Sequence, residues 1–189
     1  MAIDKDELLA IIDKWNSILN KEKFKIKLVA VGGTALTLLD LKTSTKDIDF
    51  TIPPSEDIGK FENLFPKVGI SHIGSRRFKT KEGLIIDIYY GGMIFTTVLP
   101  DDFLETSKLI KDFGNISLYA LSAYDVIISK LARNTVDDEQ DIKRIFENCS
   151  IDLAKLKERY KQIQELTLDR GIDYHFERLL NVLLKEWGL

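Results

Sequence analysis

Residues 26–31, IKLVAV, form a short, largely β-branched apolar run that stops at Gly32-Gly33, and the TALTLLDL after it has helical character. The order is strand, glycine turn, helix, so the fold contains a sheet with helices attached to it. Glycines at such a junction let backbone approach a ligand closely, and the start of the following helix offers free N–H groups to phosphate. A tight turn needing positive φ explains Gly-Gly equally well. Downstream, DIDFTI at 47–52 alternates polar and apolar residues until Pro53-Pro54 ends it, and SEDIGKFENLF reads as a helix capped near Ser55.

The flanking segments extend this pattern. Leu8, Leu9, Ile11, Ile12, Trp15, Ile18 and Leu19 make one apolar stripe on a first helix over 4–20, with Asp4, Asp6 and Glu7 at its N-terminus. SHIGSRRFKT and LIIDIYY flank Lys81-Glu82-Gly83 and read as a hairpin. ISLYA at 116–120 is a short final strand, Ser122 caps the helix AYDVIISKLARN, and every later segment has helical spacing. The expectation is an α+β fold: a mixed sheet region over 1–120, then a helical C-terminal region over 121–189 packed on it.

Composition excludes some functions. Hydrophobic residues are 44% and charged residues 30%, as in folded globular proteins. A net charge of -3 supplies no global field for nucleic acid, so such a partner would need a local basic patch. One cysteine, Cys149, excludes an internal disulfide and suits a reducing cytoplasm. MAIDKDELLA lacks the features of a signal peptide, and no apolar run approaches the ~18 residues of a spanning helix. A cytoplasmic protein without membrane association is expected.

In a strand, Asp47 and Asp49 point to one face with Cα atoms about 6.6 Å apart. Carboxylates that close repel unless a cation lies between them or one takes a proton. Hard oxygen ligands favour Mg²⁺ or Mn²⁺, bound through carboxylates and substrate phosphates. An exposed strand alternating acidic and apolar residues would look the same, and the glycine turn upstream is what favours a site. Asp87 is the only charge in the apolar LIIDIYY and needs a partner or a metal. A structural ion pair with Arg76 or Arg77 across the hairpin is one explanation. A three-carboxylate metal site, with Asp87 also the general base for an attacking hydroxyl, is the other. His72 and His175 are isolated, so zinc is not expected.

The stretch VGGTALTLLDLKTSTKDIDF resembles the signature of the DNA polymerase β-like nucleotidyltransferase superfamily: Gly-Gly with a hydroxyl residue, a helix, D-x-D, and a third acidic residue on a later strand. Within it the chain is most similar to the group of AbiEii-like toxins and related small nucleotidyltransferases, whose T-x-D-I-D is matched by Thr45-Lys46-Asp47-Ile48-Asp49. The resemblance implies the polymerase β-like mixed sheet and transfer of a nucleoside monophosphate from an NTP. Asp47, Asp49 and Asp87 would be the catalytic metal ligands, and Gly32, Gly33 and Thr34 would order the triphosphate.

SKLARNTVDDEQDI resembles the group's second, helical motif, matched by Lys130, Arg133, Asp138 and Asp141. Lysine would meet a triphosphate oxygen as a point charge and arginine would bind it bidentately; amphipathic surface charge gives the same pattern. Asp137 stands where the group often has a basic residue, which leaves the acceptor open. The resemblance points to RNA, such as the tRNA 3′ end in a toxin–antitoxin setting with an antitoxin protein as partner. A small hydroxylated metabolite or antibiotic is the rival acceptor. A nucleotide-binding module without turnover is the alternative from another class.

Overall fold

A computed structural model of the chain describes residues 2–21, 23–54, 56, 58–167 and 171–189. Helix α1 (Lys5–Lys21) carries Asp6 and Glu7 in its first turn and buries Leu8, Ile12, Trp15 and Leu19 along one stripe. Strand β1 (Ile26–Ala30) and helix α2 (Gly32–Leu38) then meet at Val31, so the glycine turn lies where the sequence puts it. Strand β2 (Ile48–Ile52) leads through the prolines to a short α3 (Ile58–Glu62). The cap expected at Ser55 lies outside the described residues.

Two local expectations change. The run 71–80, read as one strand, is two: β3 (Ile70–Gly74) and β4 (Arg77–Thr80), paired antiparallel with a bulge between His72 and Gly74. Gly74 and Ser75 are turn-forming residues, but the polar run around them has no apolar alternation that an interruption would break. After β5 (Ile85–Tyr90), a small separate hairpin β6 (Met93–Ile94) and β7 (Thr97–Val98), and helix α4 (Phe103–Thr106), comes the unanticipated β8 (Lys108–Asp112). It is an edge strand, mostly exposed on both faces, so burial imposes no pattern on its sequence.

With β9 (Ile116–Ala120), the strands form one seven-stranded sheet in the order β3-β4-β5-β2-β1-β9-β8. It is mixed: β1 runs parallel to β9 and antiparallel to β2, and β2 runs parallel to β5. Its centre is β1 and β2, where every residue except Lys27 is buried. Phe50 of β2 meets Trp15 of α1 edge-on at 6.3 Å. Alternation along the strand then turns Asp49 to the opposite face from Phe50.

Helices α5 (Ala123–Arg133), α6 (Val136–Asn148), α7 (Leu153–Leu166) and α8 (Gly171–Arg178) complete the chain, α8 continuing through a wide turn to Glu186. Ser122 caps α5 as expected, and the structure adds a Thr135/Asp138 capping box on α6 and an Asp152 cap on α7. A buried ion pair was not legible in the sequence. Fully buried Asp125, in the first turn of α5, accepts from Arg159 Nε of α7 at 2.6 Å, and Arg159 also reaches Asp102 at 2.6 Å. Among the described residues no helix is long and apolar enough to cross a membrane. Cys149 is half-buried at the C-cap of α6.

Candidate active site

The register of three adjacent strands builds the site. Asp49 on β2 lies beside Asp87 on β5, and Arg77 on β4 lies beside Asp87 on its other side. One row across the sheet thus reads carboxylate, carboxylate, guanidinium. Asp47 stands just before β2, in the bend that follows the bridge between Ile3 and Thr45. The Asp47 carboxylate accepts from the Thr45 hydroxyl at 3.5 Å. Asp49 is 6% exposed. Burial, and behind it the like charges of Asp47 and Asp87, push its carboxyl up to about 8, against the pull of Arg133 and Lys130.

The glycines and Thr34 hold these carboxylates in place. Gly32 has φ +54°, and a Cβ on it would lie 3.4 Å from Asp49 Oδ2. A Cβ on Gly33 would meet Thr45 Oγ1 at 2.9 Å, closer than side chains pack. Thr34 is fully buried; its hydroxyl accepts from Asp49 N–H at 2.9 Å and donates to the Asp47 carbonyl at 3.2 Å. That hydroxyl is thereby engaged with the backbone of D-x-D, not with the cavity. The side chain of Thr34, expected to help order triphosphate, thus lies one layer deeper and holds the backbone of Asp47 and Asp49.

Asp87 has the partner that its apolar strand demanded. Arg77 donates to it from Nε at 2.8 Å and from Nη2 at 2.7 Å, a bidentate pair that occupies both carboxylate oxygens. Arg76, in the turn between β3 and β4, reaches Met93 Sδ instead.

The helical motif folds back on itself. Lys130 is 3% exposed and donates to Asp138 at 3.0 Å and Asp141 at 2.8 Å. Arg133 pairs with Asp138, while Asp141 also receives Lys42 at 3.1 Å and Arg144 at 2.9 Å. Burial pulls the Asp138 carboxyl up, but hydrogen bonds from Arg133 and Thr135 and the charge of Lys130 outweigh it and hold it well below the carboxylate range. Four cations thus surround two carboxylates, leaving an excess of positive charge on this wall. Arg133 further lies over the Phe95 ring at 4.7 Å. Lys42 and Phe95 carry no local signal in the sequence; Arg144 does, being three residues after Asp141 on one helix.

The two walls enclose a cavity of about 930 Å³. Asp47, Asp49, Asp87 and Arg77 line it from β2, β4, β5 and the bend before β2, and Lys130, Arg133, Asp141 and Arg144 from α5 and α6, with Lys42 from the loop after α2. Asp4, Asp6, Asp40 and Asp137 add acidic groups to its lining and Lys5 and Lys46 basic ones, Lys5 paired with Asp40 at 2.6 Å. Gly33 lines it as well, whereas Gly32, Thr34 and Asp138 lie behind. Among the described residues no cluster of three or more carboxylate, histidine or cysteine side chains is arranged to hold a metal ion. The donors that fit one are Asp47 and Asp49: hard oxygens, with Asp49 buried amid like charge and ionising readily only beside a cation.

Comparison with known proteins puts these features in context. Residues 6–185 match the model of a family described as "Nucleotidyltransferase of unknown function (DUF6036)". An antigenic nucleotidyltransferase-like protein from Paracoccidioides brasiliensis is similar in structure, with a TM-score of 0.55, 13% identity and 99% of this chain and 94% of that one covered. ANT(2")-Ia in complex with adenylyl-2"-tobramycin is similar with a TM-score of 0.57, 12% identity, and 84% and 98% covered. At these identities the likeness is one of fold. No curated protein matches the chain in sequence.

Proposed function

We propose, for a chain that belongs to the nucleotidyltransferase family of unknown function DUF6036, a metal-dependent transfer of a nucleoside monophosphate from an NTP to the hydroxyl of a small acceptor. The observation that carries this reading is the polarised cavity: a row of carboxylates on the sheet facing a wall with surplus positive charge. Asp47 and Asp49 would hold the Mg²⁺ or Mn²⁺. When bound, that ion neutralises the oxygens of the reacting phosphate and fixes their position. Arg133, Lys42 and Arg144 keep part of their side chains exposed and face the triphosphate as charge-assisted donors. Lys130, enclosed by Asp138 and Asp141, holds that wall in place.

Asp87 accepts the proton of the acceptor hydroxyl as its oxygen bonds to the α-phosphorus. The bond from the α-phosphorus to the bridging oxygen breaks, and pyrophosphate leaves. Positioning and electrostatics do most of this catalysis, as in phosphoryl transfer generally. A small, amino-bearing hydroxylated acceptor suits the acidic surplus of the lining outside the two walls, Asp4, Asp6, Asp40 and Asp137 against Lys5 and Lys46. The acceptor in the ANT(2")-Ia complex, tobramycin, is of that kind.

The test is label transfer from α-labelled NTPs, with Mg²⁺ or Mn²⁺, into separated pools of small molecules, RNA and protein. Label is expected in hydroxylated amines with release of pyrophosphate, and none in the presence of a chelator. Label in RNA instead would overturn the acceptor assigned here, and no label in any pool would overturn the reaction. Gly33→Ala is a narrower check, because its Cβ displaces Thr45 and through it Asp47. Stability should fall by about 1–3 kcal/mol and transfer by on the order of 10²-fold, read from urea melts and initial rates. A variant with native rates would mean that Thr45 does not position Asp47.

A further inference from the structure

We propose that Arg77 is the fixed second cation of this site, holding Asp87 out of the metal's coordination so that a single divalent ion, on Asp47 and Asp49, serves the reaction. The inference rests on the function proposed above and adds a positioning residue to it. Both oxygens of Asp87 are taken by the Arg77 fork, at 2.8 and 2.7 Å. The pairing is built into the backbone, because Arg77 and Asp87 are register partners on neighbouring antiparallel strands. A guanidinium stays charged at any working pH and matches a carboxylate in plane, so the pair persists where a lysine would move off.

Geometry and charge agree. A second metal would need Asp87 as its ligand, and hard divalent ions take oxygens that are free to face them. Asp47, Asp49 and Asp87 together carry three negative charges; one dication and Arg77 balance them. The Arg77 side chain is 58% exposed and lines the cavity beside Asp87, so its outer edge is open to an anionic oxygen of the substrate. The Arg77 guanidinium repels a second dication at Asp87, whereas a neutral acceptor hydroxyl meets no such repulsion and can give its proton to a remaining carboxylate lone pair.

The experiment locates metal directly. Crystals of the full-length protein, of Arg77→Ala and of Arg77→Ala/Asp87→Asn are soaked in Mn²⁺ with inorganic triphosphate, and Mn²⁺ is placed by its anomalous scattering. Wild type is expected to hold one ion, at Asp47 and Asp49, with Arg77 still on Asp87. Arg77→Ala should gain a second ion on Asp87, and the double variant should return to one. Two ions in wild type overturn the proposal, as does a single ion in Arg77→Ala or two in the double variant. No ion at Asp47 and Asp49 in wild type overturns the metal-dependent reading itself. Should Arg77→Ala fail to fold, the wild-type map decides alone, through the number of ions and whether Asp87 touches one.

Discussion

Asp49→Asn is expected to lower nucleotidyl transfer by roughly 10³-fold or more while making the metal-free protein more stable above neutral pH. Both effects have one origin. The Asp49 carboxyl is buried beside Asp47 and Asp87, and its pKa stands near 8 where an unfolded chain has 3.8. The folded protein therefore keeps a proton that the unfolded chain releases, and stability falls as pH rises from about 4 to about 8. The other strongly perturbed carboxyl, Asp138, is shifted downward and acts only below that window. The loss is on the order of a few kcal/mol, removed either by an amide at position 49 or by a divalent ion that replaces the proton. Melting curves in EDTA from pH 5 to 9 test this. Wild type should lose thermal stability with rising pH, Asp49→Asn should lose far less, and Mg²⁺ should restore wild type alone. A wild-type melting temperature that ignores both pH and Mg²⁺ would show that Asp49 is not held among like charges.

The largest effect on folding is expected at Asp138→Ala. This side chain is fully buried, closes the capping box of α6 with Thr135, and receives Lys130 and Arg133 from α5. Deleting it removes a cap and leaves two cations short of a partner, one of them the buried Lys130. Breaking a buried pair from one side costs about 3–5 kcal/mol, a large share of the 5–15 kcal/mol typical of a folded domain. For a chain of this size that is a fall of about 10 °C in melting temperature. Urea unfolding with an unchanged slope measures it, and a loss below about 1 kcal/mol would mean that Asp141 alone satisfies Lys130. Asp138→Asn keeps shape and cap and should cost less.

In this pair of helices the motif is legible in the sequence and its use is not. Lys130, Arg133, Asp138 and Asp141 stand out by helical spacing, and read singly the two bases look like phosphate ligands. The spacing does not tell that α5 and α6 fold against one another, so that Asp138 and Asp141 meet Lys130 before any ligand does. The helical motif, which resembles the second motif of the AbiEii-like group, is spent first on joining two helices and then, through Lys130, Arg133 and Asp141, on lining the cavity. Thr34 repeats the lesson, since a hydroxyl after Gly-Gly has the same sequence whether it faces a phosphate or the backbone of Asp49.

Local physics explains what was readable from residues alone. Gly32-Gly33 between an apolar strand and a helix, the alternation of DIDFTI, the turn at Lys81-Glu82-Gly83, and the cap at Ser122 are short-range constraints, each met within a few residues. They establish most of the elements, the α+β class, and Asp49 and Asp87 as strand residues with Asp47 next to the first of them. Register, strand order and the pairing of charges distant in the chain are different in kind. That β5 lies beside β2, that Arg77 falls opposite Asp87, and that Lys42 reaches Asp141 across 99 residues follow from packing of the whole core. No window of sequence contains both partners' surroundings. The three aspartates were thus decided by sequence; their company, a guanidinium on one side and a basic wall on the other, was decided only by the tertiary structure.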